Sequence, residues 1–176
     1  KARLVANPGC YATAVQLALL PLVETDHVDL RHLIADSKSG VSGAGRKAEI
    51  DILYSEATDN FKAYGVHGHR HTPETSAQLQ RFTDQQVGLI FTPHLIPMDR
   101  GILSTIYANP QRTFTDAQLL DLYRAYYAQA PFVRVVSHLP ATKDTAHTNY
   151  LDITVRVIRG KILVIACEDN LVRGAS

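Results

Sequence analysis

The chain contains no tryptophan, one methionine and two cysteines in 176 residues, and its formal net charge is only +1. Two cysteines exclude a disulfide framework. They fit a reducing compartment such as the cytoplasm, where a single placed thiol is a candidate reactive group. The near-zero charge removes the electrostatic footprint expected of a protein that binds nucleic acid or an anionic membrane. No apolar run is long enough to cross a bilayer: the longest, Ala12 to Val23, is interrupted by Gln16 and Pro21. A strand–Gly-x-Gly-x-x-Gly–helix unit is also missing, so no dinucleotide fingerprint is present. The chain opens on a strand-like run rather than a secretory leader. Internal repeats, charge blocks and low-complexity linkers are absent, and the length suits one domain on a scale of roughly 100–200 residues each. What remains is 45% apolar and 20% charged, the composition of a soluble globular protein with a real core.

The pattern predicts an α+β fold. Arg3-Leu4-Val5-Ala6 is expected to form a short strand ended by the turn Asn7-Pro8-Gly9. Ala14, Leu17, Ala18 and Leu20 recur at helical spacing, predicting a helix over 11–23. Further strands are expected at 32–38, 63–66, 87–92 and 102–108. Helices are expected at 47–56 and from Thr72-Pro73-Glu74, with Pro73 at the first helical position. Thr115 and Gln118 have the spacing of a capping box, opening a helix with Leu119, Leu122, Tyr123 and Tyr126 on one face. Leu151, Ile153, Val155 and Val157 alternate with polar residues, and Arg159-Gly160 turns that strand into another at 161–167. Glu168-Asp169-Asn170-Leu171 looks like the start of a helix. Hairpins with intervening helices predict a largely antiparallel or mixed sheet with helices mainly on one face.

Four places carry chemistry. Cys10 follows Pro8-Gly9 at a strand-to-helix junction, so its thiol is expected at a helix N-terminus, where free N–H groups and the dipole favour an anion. Such a site, with a basic neighbour, brings a thiol from about 8.5 into the range of roughly 3.5–7.5. The same donors suit an oxyanion. His67, His69 and His71 alternate, and in a strand they would share one side. One of them as acid/base partner of Cys10 with Glu74 beside it, a zinc site, and a solvated polar edge are all compatible with that spacing. Ser39 to Arg46, followed by Lys47, is either a flexible glycine-rich loop or a backbone nest for phosphate. Arg100, between a proline-containing loop and a strand, is either a surface residue or a fork for a carboxylate or phosphate. Cys167, in an apolar strand, is expected to lie in the core, and Tyr123, Tyr126 and Tyr127 are expected to pack along their helix.

Together these segments resemble the N-acetyl-gamma-glutamyl-phosphate reductase family. The motifs are Val5-Ala6-Asn7-Pro8-Gly9-Cys10-Tyr11-Ala12-Thr13-Ala14, Gly40-Val41-Ser42-Gly43-Ala44-Gly45-Arg46 and His69-Arg70-His71-Thr72-Pro73-Glu74. Phe91-Thr92-Pro93-His94-Leu95, Arg100-Gly101-Ile102-Leu103 and Glu168-Asp169-Asn170-Leu171 follow in the family's order. The resemblance implies that residues 1–176 are the catalytic and dimerisation domain, of the glyceraldehyde-3-phosphate-dehydrogenase-like C-terminal type. It implies an N-terminal Rossmann domain for NADP(H) and a C-terminal helix, both expected to lie outside this chain. Cys10 matches the nucleophile and His69 the general acid/base. Tyr64, His71, Glu74 and Arg100 match substrate contacts, and Ser39, Gly40 and Asn170 fall near the cofactor. No metal is implied. The partners implied are a small acyl phosphate and further copies of the chain, as a dimer or tetramer in the cytoplasm. An aspartate-semialdehyde or aminoadipate-type reductase, a cysteine–histidine hydrolase or acyltransferase, a non-catalytic dimerisation module and a zinc protein are the alternatives.

Overall fold

A computed structural model describes residues 3–45 and 49–174. Seven strands build one mixed sheet: β1 (Val28–Gly40), β2 (Lys62–Ala63), β3 (Leu89–Ile96), β4 (Ile102–Pro110), β5 (Val133–Val135), β6 (Leu151–Ile158) and β7 (Lys161–Glu168). Their spatial order is β2-β3-β1-β4-β7-β6-β5. The β1–β3 and β5–β6 pairs are parallel and the other four antiparallel, so the expected α+β class with a largely antiparallel sheet holds. The β6–β7 hairpin forms where expected. Arg159 (φ 49°) and Gly160 (φ 75°) both take the left-handed conformation that a two-residue hairpin turn matching the strand twist requires.

The helices are α1 (Cys10–Glu24), α2 (Tyr54–Ala57), α3 (His71–Gln80), α4 (Asp116–Tyr126) and α5 (Thr142–Thr145). α1 crosses β1, β4 and β7 on one face of the sheet, between α3 and α4. Small residues on α1 let it approach the sheet: Ala12, Ala14 and Ala18 are fully buried beside Val15, Leu19 and Leu22. Tyr123 donates to the Ala18 carbonyl at 2.6 Å and Tyr127 to that of Leu17, which pins α4 along α1 and satisfies two phenols in the core. The capping box is present: the Thr115 hydroxyl accepts from the Gln118 amide at 3.2 Å, and the Gln118 side chain accepts from the Thr115 amide at 2.9 Å. The opposite sheet face carries Ile90, Ile34 and Tyr107 side by side across β3, β1 and β4, all exposed. No described helix is long and apolar enough to cross a membrane.

Several local expectations fail for identifiable reasons. Residues 3–6 pair with no strand, and Leu4 and Val5 lie exposed; an extended segment without a neighbour is not a strand. The helix expected over 47–56 is, in its described part, a 3₁₀ turn at Ile50–Ile52 followed by α2, while Lys47 and Ala48 lie outside the described residues. Leu53 is extended between them, and Ile50 and Tyr54 face solvent, so no packing supports a continuous helix. The 63–66 strand shrinks to β2, because the chain turns at Gly65 with φ 57°. α3 begins at His71, which puts Pro73 third rather than first; the N–H that proline lacks there has no helical partner in any case. The three histidines therefore share no strand. β7 runs through Glu168, and residues 169–173 form a turn closed by Val172 and Arg173 amides on the Asp169 carbonyl. Among the described residues no helix starts there, and Ala175 and Ser176 lie outside them.

Candidate active site

The Asn7-Pro8-Gly9 turn delivers the chain into α1 with Gly9 as N-cap and no side-chain cap. The first backbone bond of the helix runs from Thr13 to the Gly9 carbonyl, leaving the Cys10 and Tyr11 N–H groups free of helical partners and directed at the Cys10 thiol, whose anion they favour. The thiol nonetheless does not have the lowered pKa expected of a helix N-terminus. Cys10 is 4% exposed, and burial, reinforced by the charge of Glu168, pushes it up to about 11. Desolvation outweighs the two amides and the weaker pull of Arg70.

Four of the other expected site residues gather around this turn. Glu74, in the first turn of α3, accepts from the Gly9 amide at 3.1 Å. His71 is buried, and its ring occupies the space where a Cβ at position 9 would lie. His69 stands 4.8 Å from His71 between ring centroids, and its Nδ1 accepts from the His71 amide at 3.1 Å. Tyr64 meets the His69 ring edge-on at 5.4 Å, and Tyr11 and Phe91 close the same box at 5.7 and 5.3 Å. Burial first, and then the neighbouring cations, hold His69 and His71 down at about 4, so both rings are neutral at pH 7. Among the described residues no hydrogen bond joins the Cys10 thiol to either histidine. His67 stays exposed in the turn before them.

Ser39, Gly40, Arg100 and Asn170 form a second group at the ends of β1, β4 and β7. The Asn170 side chain accepts from the Gly101 amide at 2.8 Å and donates to the Ser42 hydroxyl at 3.1 Å. Gly40 is required by close approach, since a Cβ there would meet the Asp99 carbonyl oxygen at 2.5 Å. Val41–Ala44 forms a 3₁₀ turn that ends at Gly45, which has φ 84° and open space around its Cα. Arg46 and Lys47, counted in the phosphate-nest reading, lie outside the described residues. Arg100 is engaged within the chain: its guanidinium donates to the buried Asp169 carboxylate at 3.2 Å and contacts the His147 ring at 3.0 Å. Tyr11 links the two groups, because its hydroxyl donates to the His94 carbonyl at 2.9 Å and also feels those of Ser39 and Tyr64.

Sequence reasoning missed three participants: Tyr11, the Asp169–His147 pair that holds Arg100, and Glu168. The last had a signal. Val164 and Ala166 point toward α1, and the same alternation carried two residues further places Glu168 on that face. No group of three or more His, Cys, Asp or Glu among the described residues is arranged to hold a metal ion, including the 67–71 histidines.

Comparison with known proteins agrees with the fold. Solved structures of aspartate semialdehyde dehydrogenase II from Vibrio cholerae and a probable aspartate-semialdehyde dehydrogenase from Pseudomonas aeruginosa superpose with TM-scores of 0.74 and 0.71. Their identities are only 17% and 18%; they cover 97% and 99% of this chain, which spans 58% and 60% of theirs. Curated proteins named N-acetyl-gamma-glutamyl-phosphate reductase from Herminiimonas arsenicoxydans, Pelobacter propionicus and Bordetella pertussis are 54%, 51% and 53% identical over 99–100% of the chain. The chain spans about half the length of these relatives, 51–52%. The family described as "Semialdehyde dehydrogenase, dimerisation domain" matches residues 10–170, and the chain belongs to that family.

Proposed function

We propose that this chain is the catalytic and dimerisation part of an N-acetyl-gamma-glutamyl-phosphate reductase, which converts the acyl phosphate and NADPH into N-acetylglutamate semialdehyde, phosphate and NADP+. The observation that carries the reading is Cys10 at the uncapped start of α1, with two helix amides on its thiol and the neutral His69–His71 pair beside it. The substrate assignment comes from the names of the relatives that are about half identical.

In this reading the Cys10 thiolate attacks the acyl carbon, the C–O bond to phosphate breaks, and a thioester forms. The Cys10 and Tyr11 amides hold the oxyanion that appears on the carbonyl oxygen. NADPH, when bound, supplies the hydride that reduces the thioester. The tetrahedral adduct then breaks its C–S bond, the aldehyde leaves, and Cys10 is restored. His69, neutral in the fold, takes the thiol proton on Nδ1 once the hydrogen bond from the His71 amide opens, and returns a proton during the reduction. Tyr64, His71 and Glu74 shape the substrate side; Glu74 does so by fixing the Gly9 amide, and His71 by filling the space over Gly9. Ser39, Gly40 and Asn170 fit an edge of the cofactor site, since they tie down a turn whose last residue, Gly45, is open to the outside. Most of the NADP(H) contact is assigned to the half of the relatives' length that this chain does not span. Arg100, held by Asp169 and His147, keeps part of its fork for a substrate anion. The exposed row Ile90–Ile34–Tyr107 is the surface on which we place the contact between copies of the chain.

The test is NADP+ reduction by the full-length protein with N-acetylglutamate semialdehyde, with and without phosphate, beside Cys10→Ser. Phosphate-dependent reduction lost in the variant is the expected result. Activity with aspartate semialdehyde alone moves the assignment to that substrate, and cofactor-independent thioester hydrolysis moves it to a hydrolase.

A further inference from the structure

We propose that Glu168 is a positioning residue for Cys10: the two groups form one buried acid pair beneath the first turn of α1, in which ionisation of either opposes ionisation of the other. The inference rests on the reading of Cys10 as the nucleophile.

The geometry begins with β7. Val164, Ala166 and Glu168 project toward α1, and all three are fully buried. Glu168 is the last residue of the strand, in register between Ile102 and Leu151, and its alternation with Val164 and Ala166 puts its buried side chain in the layer that β7 shares with α1. The chain then turns at Asp169 and comes back over Cys10. A Cβ at Gly174 would stand 2.4 Å from the Cys10 Cα, so the turn rests directly on the nucleophile's backbone. Neither Glu168 oxygen has a hydrogen-bond partner among the described residues. Among the described residues its ion-pair partner is Arg173, whose Nε lies 3.8 Å away and is likewise without a hydrogen bond. Its Nη1 is committed to the Phe132 and Asn149 carbonyls at 3.2 and 2.6 Å.

A buried carboxyl lacking hydrogen bonds is costly as an anion and is kept as an acid unless a cation compensates it. Here burial raises Glu168 well above the carboxylate range, and Arg173 offsets this only in part. The groups facing the pair are Arg173 and Asp169 from the C-terminal turn, Arg70 before α3, Glu74 on the Gly9 amide, and the phenols of Tyr11 and Tyr64. Two buried acids whose charges oppose each other do not ionise independently, and their titrations belong to the pair. Glu168 therefore governs how readily Cys10 becomes a thiolate: its carboxylate opposes the thiolate, and its protonated form does not. A purely apolar residue at this position would pack against α1 without this control.

The test is the rate of Cys10 alkylation by iodoacetamide against pH, followed by peptide mass mapping so that Cys167 is counted separately, in the parent protein and in Glu168→Gln. The expected result is a midpoint for Cys10 lower by about one pH unit or more in the variant. The coupling is reciprocal, so the carbon-13 carboxyl resonance of Glu168 reports the ionisation of Cys10, as a displaced midpoint or a second inflection that Cys10→Ala removes. That second measurement decides the matter if Glu168→Gln does not fold. Superimposable Cys10 profiles in the folded variant, or a Glu168 resonance indifferent to Cys10→Ala, would overturn the pairing. Neither readout uses substrate or cofactor, so a failure here is distinct from a failure of the reductase reading.

Discussion

The His71 imidazole occupies the space that any side chain at position 9 would need: a Cβ on Gly9 would approach Nε2 to 2.3 Å and two ring carbons to 2.6 Å. Gly9 has an ordinary φ of −64°, so its lack of a side chain serves this contact rather than a special backbone conformation. Gly9→Ala is therefore expected to destabilise the fold by about 1–3 kcal/mol, the usual cost of overpacking. It should also displace the turn that presents Cys10. Urea unfolding together with the Cys10 alkylation rate checks both effects, and a variant unchanged in both contradicts the packing account.

The neutrality of the buried His71 gives stability a definite dependence on pH. Its pKa falls from 6.5 to about 4 on folding, so the unfolded chain binds the proton first as the solution is acidified. The stability contributed is fully present above about pH 6.5 and is lost progressively down to about pH 4, on the order of 2–3 kcal/mol. His69 acts in the same direction, but it is less deeply buried than His71 and solvent screening reduces its share. Unfolding free energies at pH 7.5 and 4.5 should diverge less in His71→Phe, which keeps a ring over Gly9. An equal drop in parent and variant would assign the acid sensitivity to other groups.

What the sequence made legible was local. The Pro-Gly turn before Cys10, the Thr115–Gln118 box and the Arg159-Gly160 hairpin each depend on neighbours a few residues apart, and each is present. Tyr64, His69, His71 and Glu74 lie around the Cys10 turn, an arrangement that spacing alone did not specify. The state of Cys10 was not legible, because it is decided by burial under the 172–174 segment and by Glu168, both over 150 residues away in the chain. The alternation of His67, His69 and His71 misled for the same kind of reason. The turn at Gly65 and the start of α3 break the strand periodicity that would have aligned the three rings.

His69 sits in an aromatic box without a hydrogen bond to the Cys10 thiol, as expected of a base whose contacts tighten only with substrate present. In the full-length protein His69→Gln should lower kcat by about 10²–10⁴-fold, the usual worth of general acid–base catalysis, with little change in KM. Steady-state kinetics with N-acetylglutamate semialdehyde and phosphate measure the split. A rise in KM alone would make His69 a substrate contact and pass the proton-transfer role to another group.

The sheet face opposite α1 yields the last expectation. Ile90 is 62% exposed, Ile34 41% and Tyr107 43%, and the three are direct cross-strand neighbours on β3, β1 and β4. A contiguous exposed apolar row of this kind marks a protein–protein contact. A charge at its most exposed position, Ile90, stays in water in the monomer but must be desolvated wherever two copies meet there. Ile90→Asp should therefore shift sedimentation of the protein toward the monomer, with the far-ultraviolet circular dichroism spectrum unchanged. An unaltered sedimentation coefficient would place the contact between copies on another surface, the exposed Ile50, Leu53 and Tyr54 segment being the next to substitute.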